Sequence, residues 1–239
     1  MQSKKQLFCF PFAGGSASFF DRIEKDLPDF DVVKLEYAGH GTRHREALSR
    51  NFDELANDMY ARVRERCAGT GYALFGYSMG TISLVEVLKR ILDRKEVFPP
   101  KSVFLAAHEP LTREAYRIRT GENQDDWVKE RTIRFGSIPA KLLSNESFWR
   151  MYLPLYRADY TMIGQYRFED LRLASSVPAT VFYSETDTRP ENMLLWKKIF
   201  VGDCAFYKFD GNHFFIREHH EEMARIIRKR IAGRENNDV

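Results

Sequence analysis

The segment Gly76-Tyr77-Ser78-Met79-Gly80 constrains the fold more than any other five residues of this chain. It follows the β-rich run Tyr72-Ala73-Leu74-Phe75 and precedes Ile82, Val85, Leu88 and Leu92, which recur at helical spacing. A strand that becomes a helix within so few residues needs a tight turn, and glycines at both ends let neighbouring backbones come close. The spacing G-x-S-x-G leaves the Ser78 hydroxyl at the start of a helix, where free N–H groups and the dipole favour developing negative charge. A glycine-flanked turn serine without chemistry is the simpler alternative, but it does not require this strand and helix on either side.

The same alternation of short β-rich runs and amphipathic stretches extends along the chain and predicts βα units around a mostly parallel sheet, an α/β architecture. Strands are expected near 6–12, 31–36, 72–77, 102–107, 179–184 and 205–209. Phe52, Leu55, Met59, Val63 and Cys67 mark a helix, and Asn51 followed by Glu54 resembles a capping box. Further helices are expected over 79–93 and near the C-terminus, where Met223, Ile226, Ile227 and Ile231 would face inward. From about 110 to 170 the alternation stops and several helices follow one another, so this stretch is read as an inserted helical lid. Its aromatics Trp127, Phe135, Phe148, Trp149, Tyr152, Tyr156, Tyr160 and Tyr166 would pack on the body or line an acyl tunnel. With 239 residues and 44% hydrophobic content, one domain over 1–239 is expected.

Composition narrows the surroundings. Cys9, Cys67 and Cys204 are odd in number, widely spaced and without a C-x-x-C pair, which argues against a disulfide framework or zinc site and suits a reducing cytoplasm. The apolar run Leu7–Phe12 behind Lys4 and Lys5 is too short for a signal sequence, and no apolar run reaches the roughly 18 to 20 residues needed to span a bilayer. A formal charge of +3 lacks the concentrated basic footprint of a nucleic-acid binder, though it favours an acidic partner. The phosphate-loop pattern G-x-x-x-x-G-K-[ST] is absent, and no metal or other cofactor is expected.

A serine hydroxyl needs a base, and a base on a late loop is supplied by His213, in Asp210-Gly211-Asn212-His213-Phe214-Phe215. His219 and His220 suit a solvated helix start; His40 and His44 suit a surface loop; His108 ends a strand and is divided between the site and a structural role. The acid that orients the imidazole should follow a late strand. Asp187 fits, Glu185 is its near rival and Asp210 a more distant one. Two backbone amides are needed for an oxyanion: Met79 by its position after the serine, and Ala13 in the turn Pro11-Phe12-Ala13-Gly14-Gly15.

Together these segments resemble the type II thioesterases that accompany nonribosomal peptide and polyketide synthases, members of the α/β-hydrolase superfamily. Phe10 to Ser16 resembles the early oxyanion turn of that family, Gly76 to Gly80 its nucleophile elbow and Gly211 to Phe215 its histidine turn. Leu153-Pro154-Leu155-Tyr156-Arg157-Ala158-Asp159-Tyr160 is similar to its lid signature L-P-x-x-R-A-D-[FY]. Tyr77 stands where the family usually has histidine, Ala38-Gly39-His40 where it has Pro-Gly-Arg, and Ser184-Glu185-Thr186-Asp187 lacks the usual glycine pair. The resemblance implies a monomeric serine hydrolase releasing acyl groups from the phosphopantetheine arm of acyl or peptidyl carrier proteins. Arg113, Arg117, Arg119, Lys129, Arg131 and Arg134 offer either a docking face for such a partner or a solvated lid surface. The triad chemistry equally serves a carboxylesterase or lipase on free esters, or an acyltransferase, and a hydrolase-fold binding protein without catalysis is the reading from another class.

Overall fold

The computed structural model describes residues 4–69, 71–110, 124–136, 138–171, 173 and 175–232. Six strands form one sheet: β1 (Lys5–Phe10), β2 (Phe30–Lys34), β3 (Tyr72–Tyr77), β4 (Ser102–Ala106), β5 (Ala179–Tyr183) and β6 (Cys204–Lys208). Their order is β2-β1-β3-β4-β5-β6 and every pairing is parallel. The reversal of strand order between β1 and β3 opens a crevice at the carboxyl ends of the strands, where ligands of such sheets bind.

Side chains alternate across the sheet with period two. Phe8, Phe10, Tyr72 and Leu74 enter one apolar core with Leu55, Met59 and Val63 of α2 (Phe52–Arg66) and with Ile82, Val85 and Leu88 of α3 (Met79–Arg94). Leu7, Cys9, Ala73, Phe75 and Tyr77 enter the other core, with Ile23 of the short helix α1 (Asp21–Lys25) and with Met223, Ile227 and Ile231 of the C-terminal helix (Ile216–Ala232). Burial on both faces is why β3 reads as an uninterrupted apolar run.

Between β4 and β5, two long helices, α4 (Gln124–Phe135) and α5 (Glu146–Gln165), pack on each other. The Asn145 side chain caps α5 by accepting from the Phe148 N–H at 2.9 Å. Asn51 likewise caps α2 through the Glu54 N–H, but Glu54 reaches back to the Arg50 N–H, one residue short of the cap that a strict capping box would satisfy. Two short helices, α6 (Pro190–Met193) and α7 (Trp196–Ile199), connect β5 to β6, making the C-terminal helix α8. Most observed strands end one or two residues earlier than their apolar runs, because the last residues of each run leave the sheet to build the loops of the site.

Candidate active site

The strand–turn–helix at Ser78 is held by close backbone contacts. Ser78 has φ 54° and ψ −118°, a conformation that costs a residue with a side chain about 1–3 kcal/mol. A Cβ on Gly76 would lie 2.4 Å from the Gly80 carbonyl oxygen, and one on Gly80 would lie 2.0 Å from the Phe10 carbonyl oxygen of β1. The two glycines of the pentapeptide therefore let α3 start directly against the sheet. Gly80→Ala is expected to destabilise the protein by about 3 kcal/mol, since β1 cannot retreat without breaking sheet hydrogen bonds and α3 cannot retreat without opening its packing on the sheet. Urea unfolding measures this; a loss below about 1 kcal/mol would show that the α3–β1 approach is pliable.

From this turn the Ser78 Oγ lies 2.9 Å from Nε2 of His213, whose Nδ1 lies 2.8 Å from Oδ2 of Asp187. The three groups follow β3, β6 and β5 respectively, so a single end of the sheet assembles them. His213 is buried and the Asp187 side chain is only 8% exposed, whereas Glu185 is about half exposed and pairs with Lys208 at 3.5 Å. Of the two carboxylates in this loop, Asp187 is the one that meets His213. Hydroxyls missed by sequence reasoning fasten the two loops together: Ser184 Oγ and Thr186 Oγ1 both donate to the Gly211 carbonyl.

Tyr77 also acquires a clear task. Burial raises its pKa well above the ordinary tyrosine value, so it remains a donor, and it donates to the His213 carbonyl at 2.8 Å. Its ring stacks on Phe214 at 6.3 Å, which fixes the histidine turn from below. The Phe135 ring of α4 lies 4.4 Å from the His213 ring.

Ala13, Ser78, Phe135, Tyr160 and His213 line one small cavity, which brings the expected oxyanion turn beside the serine. Met79 opens α3 immediately after Ser78. The turn itself is closed by Gly15 N–H to Phe12 O at 3.0 Å, with φ +69° at Gly14, as the third position of a type II turn requires.

A larger cleft of about 220 Å³ adjoins the triad and is lined by Ser78, His108, Glu109, Arg131, Arg134 and Tyr160 among others. His108 therefore faces the site; burial, with His213 and Arg131 nearby, pushes its pKa down to about 3, so it is neutral. Burial raises the Glu109 pKa despite its acceptance of the Arg189 N–H. Arg131, in the lining of the cleft, also lies over the rings of Trp127, Phe135 and Tyr160 at 5.4, 5.1 and 5.5 Å. Of the expected docking arginines, Arg113, Arg117 and Arg119 lie outside the described residues.

The histidine placed on a surface loop by its sequence is instead buried. His40 is 2% exposed, and its Nε2 lies 3.0 Å from Oδ2 of Asp159 in α5. The same Asp159 oxygen accepts the Gly14 N–H at 2.6 Å. His44 is exposed beside the Gly41 carbonyl, and His219 and His220 contact the Asp210 carbonyl and the Asp26 carboxylate. Among the described residues, Asp26, His220 and Glu221 form a grouping of metal-ligating types, at the α1–α8 contact and away from the triad.

The family model described as a thioesterase domain matches residues 5–231. The chain belongs to the thioesterase family. The thioesterase is 32% identical over 221 residues to a probable cadicidin biosynthesis thioesterase of Streptomyces griseus, covering 90% of this chain but only 59% of that relative. It is 25% identical to the medium-chain S-acyl fatty acid synthase thioesterase of Anas platyrhynchos, over 98% of this chain and 94% of the relative. The solved structure of BorB, a type II thioesterase from the borrelidin biosynthetic cluster, superposes with a TM-score of 0.80 at 26% identity, covering 97% of this chain and 94% of its own. The α/β-hydrolase fold expected for this thioesterase is the one its six parallel strands form. No helix among its described residues is long and apolar enough to cross a membrane.

Proposed function

We propose that this thioesterase is a type II enzyme that hydrolyses acyl thioesters on the phosphopantetheine arm of carrier-protein domains of a peptide or polyketide synthase. The observation that carries the reading is the line Ser78–His213–Asp187, with 2.9 and 2.8 Å between successive polar atoms, in a chain of the thioesterase family. Ser78 Oγ attacks the thioester carbonyl carbon while His213 Nε2 takes its proton, and Asp187 keeps the imidazole oriented and balances its charge. The backbone amides of Ala13 and Met79 hold the oxyanion. As the C–S bond breaks, His213 returns the proton to the departing phosphopantetheine sulfur. His213 then deprotonates a water, which attacks the acyl-enzyme carbonyl carbon, and the imidazolium returns that proton to Ser78 Oγ as the ester bond breaks, releasing the free acid. None of these steps calls on a cofactor.

The cleft beside Ser78 is small and carries charged walls, which suits short or polar acyl groups better than a long aliphatic chain. Carrier domains are acidic, so a net positive enzyme favours their approach. Three free cysteines, Cys9, Cys67 and Cys204, agree with action in a reducing cytoplasm, and Ser78, His213 and Asp187 all come from one chain, which is compatible with a monomeric enzyme.

The test is release of free acid from a panel of acyl-phosphopantetheinyl carrier proteins beside matched acyl-N-acetylcysteamine thioesters and p-nitrophenyl esters. A kcat/KM at least about tenfold higher for carrier-bound thioesters is expected. Equal or faster cleavage of free oxygen esters would replace the reading with a carboxylesterase. Product masses with an added amine or alcohol acceptor separate hydrolysis from acyl transfer.

A further inference from the structure

Asp159 is where three distant segments meet: the turn after β1, the loop after β2 and helix α5. Its side chain is 1% exposed and one oxygen, Oδ2, receives both the Gly14 N–H at 2.6 Å and the His40 ring at 3.0 Å. An anion so deeply buried is costly unless a cation or several donors face it. The His40 ring is itself held at its other end, with Nδ1 3.0 Å from the Ala38 carbonyl. Both ring nitrogens therefore face oxygen atoms that can only accept, a carbonyl and a carboxylate. A neutral imidazole has one N–H and satisfies one of them; the imidazolium has two and satisfies both.

We propose that the buried His40–Asp159 ion pair is a positioning device for catalysis: Asp159 fixes the Phe12–Gly15 turn that presents the Ala13 amide to the oxyanion, and protonated His40 keeps Asp159 in place. The inference rests on the reading of Ala13 as an oxyanion donor. Gly14 N–H belongs to the peptide between the two central residues of the turn, so a bond to it sets the plane of that peptide and with it the direction of the preceding Ala13 amide. A Cβ on Gly14 would lie 2.2 Å from the Tyr156 ring, so the turn is also pressed against the same helix that carries Asp159. Oxyanion donors act through fixed aim, so looseness here is felt in the chemical step before it is felt in substrate binding.

The pair makes the arrangement dependent on pH. Burial alone would push the His40 pKa down, but the Asp159 carboxylate more than reverses this, with smaller help from the Ala38 carbonyl and Glu36, and the pKa stands at about 8. Among the described residues, the titratable groups facing the ring are Asp159 from α5, and Glu36 and Tyr37 from the segment that follows β2. Glu36 is occupied by the Ala17 and Thr42 amides, and Tyr37 lies edge-on to the ring with its hydroxyl on the Pro11 carbonyl. The folded pKa lies above the ordinary histidine value of 6.5. The pair's contribution is therefore fully present below about 6.5 and is lost as pH rises through about 8.

The experiment has a direct and a kinetic arm. In the Ser78→Ala protein, where turnover cannot interfere, the His40 ring resonances are followed by NMR against pH, and a midpoint near 8 is expected. Asp159→Asn in the same background should move that midpoint below 6.5, because burial remains and the counter-charge is gone. In the wild-type enzyme, kcat for butyryl-N-acetylcysteamine, corrected for uncatalysed hydrolysis, should fall about tenfold through a limb centred near pH 8, with KM changed less than twofold. His40→Arg supplies a cation that does not titrate and should abolish that limb. His40→Gln should show low kcat, flat with pH. A His40 midpoint at or below 6.5, or the same alkaline limb in His40→Arg as in wild type, overturns the proposal, and a loss confined to melting temperature and KM shows that the pair only supports the fold. Turnover by Ser78→Ala would instead overturn the acyl-enzyme reading, leaving the NMR result to judge the pair by itself.

Discussion

Ser78→Ala is expected to lower kcat on a carrier-bound acyl thioester by about 10⁵-fold while leaving the melting temperature within a degree or two of wild type. In the proposed mechanism the loss is large because the serine both forms the covalent intermediate and supplies the proton that His213 takes. The residual rate comes from the oxyanion amides and bound water. The unchanged stability follows from the backbone, since alanine keeps φ 54° and its strain and gives up only one hydrogen bond. Ser78→Gly separates the two effects. It should be as inactive, yet it relieves the strained conformation, and a gain of about 1 kcal/mol would raise the melting temperature by about 2–4 °C. Circular dichroism melts and single-turnover acid release test both variants. A Ser78→Ala enzyme with a tenth of wild-type kcat would remove the serine from the chemistry.

Asp187→Asn should cost about 10⁴-fold in kcat with little change in KM. The carboxamide fills the same volume, but it can donate as well as accept, so the imidazole can settle with its proton on Nε2, the nitrogen that must receive the Ser78 proton. The imidazolium formed on attack would also lose its balancing charge. Glu185→Gln is the control within the same loop: its side chain is half exposed against Lys208 and is expected to leave kcat within twofold. If the Glu185 variant were the inactive one, the loop would have to rearrange on substrate binding and the acid would be misassigned.

Much of this could be read from the sequence because the signals are local. Six apolar runs become six strands, and Gly76–Gly80 carries its own strand, turn and helix, so Ser78 is legible without knowing anything else. His213 is legible because a glycine and an asparagine precede it after a terminal strand. Asp187 and Glu185 are only two residues apart at the end of one strand, and what separates them is the direction of a loop tied to Gly211 by Ser184 and Thr186, hydroxyls with no motif to announce them. His40 was misplaced for a related reason. Its neighbours are polar and its loop looks solvated, while the partner that buries it lies 119 positions away. The substitution of tyrosine for the expected histidine at 77 was visible, but its bond to the His213 carbonyl depends on a turn that residue 77 meets only in three dimensions.

The order of the strands divides the proposed catalytic groups between the two halves of the chain. The hydroxyl of Ser78 is built into the first half of the chain, on a central strand flanked by β1 and β4, whereas its base and acid follow β6 and β5 at the opposite edge of the sheet. In chain order the strained turn and its serine come before β4, and the acid and the base come after it. Neither half of the sequence holds the proposed reaction by itself: the pairing of β5 with β4 and of β6 with β5 is what carries an acid and a base to the serine.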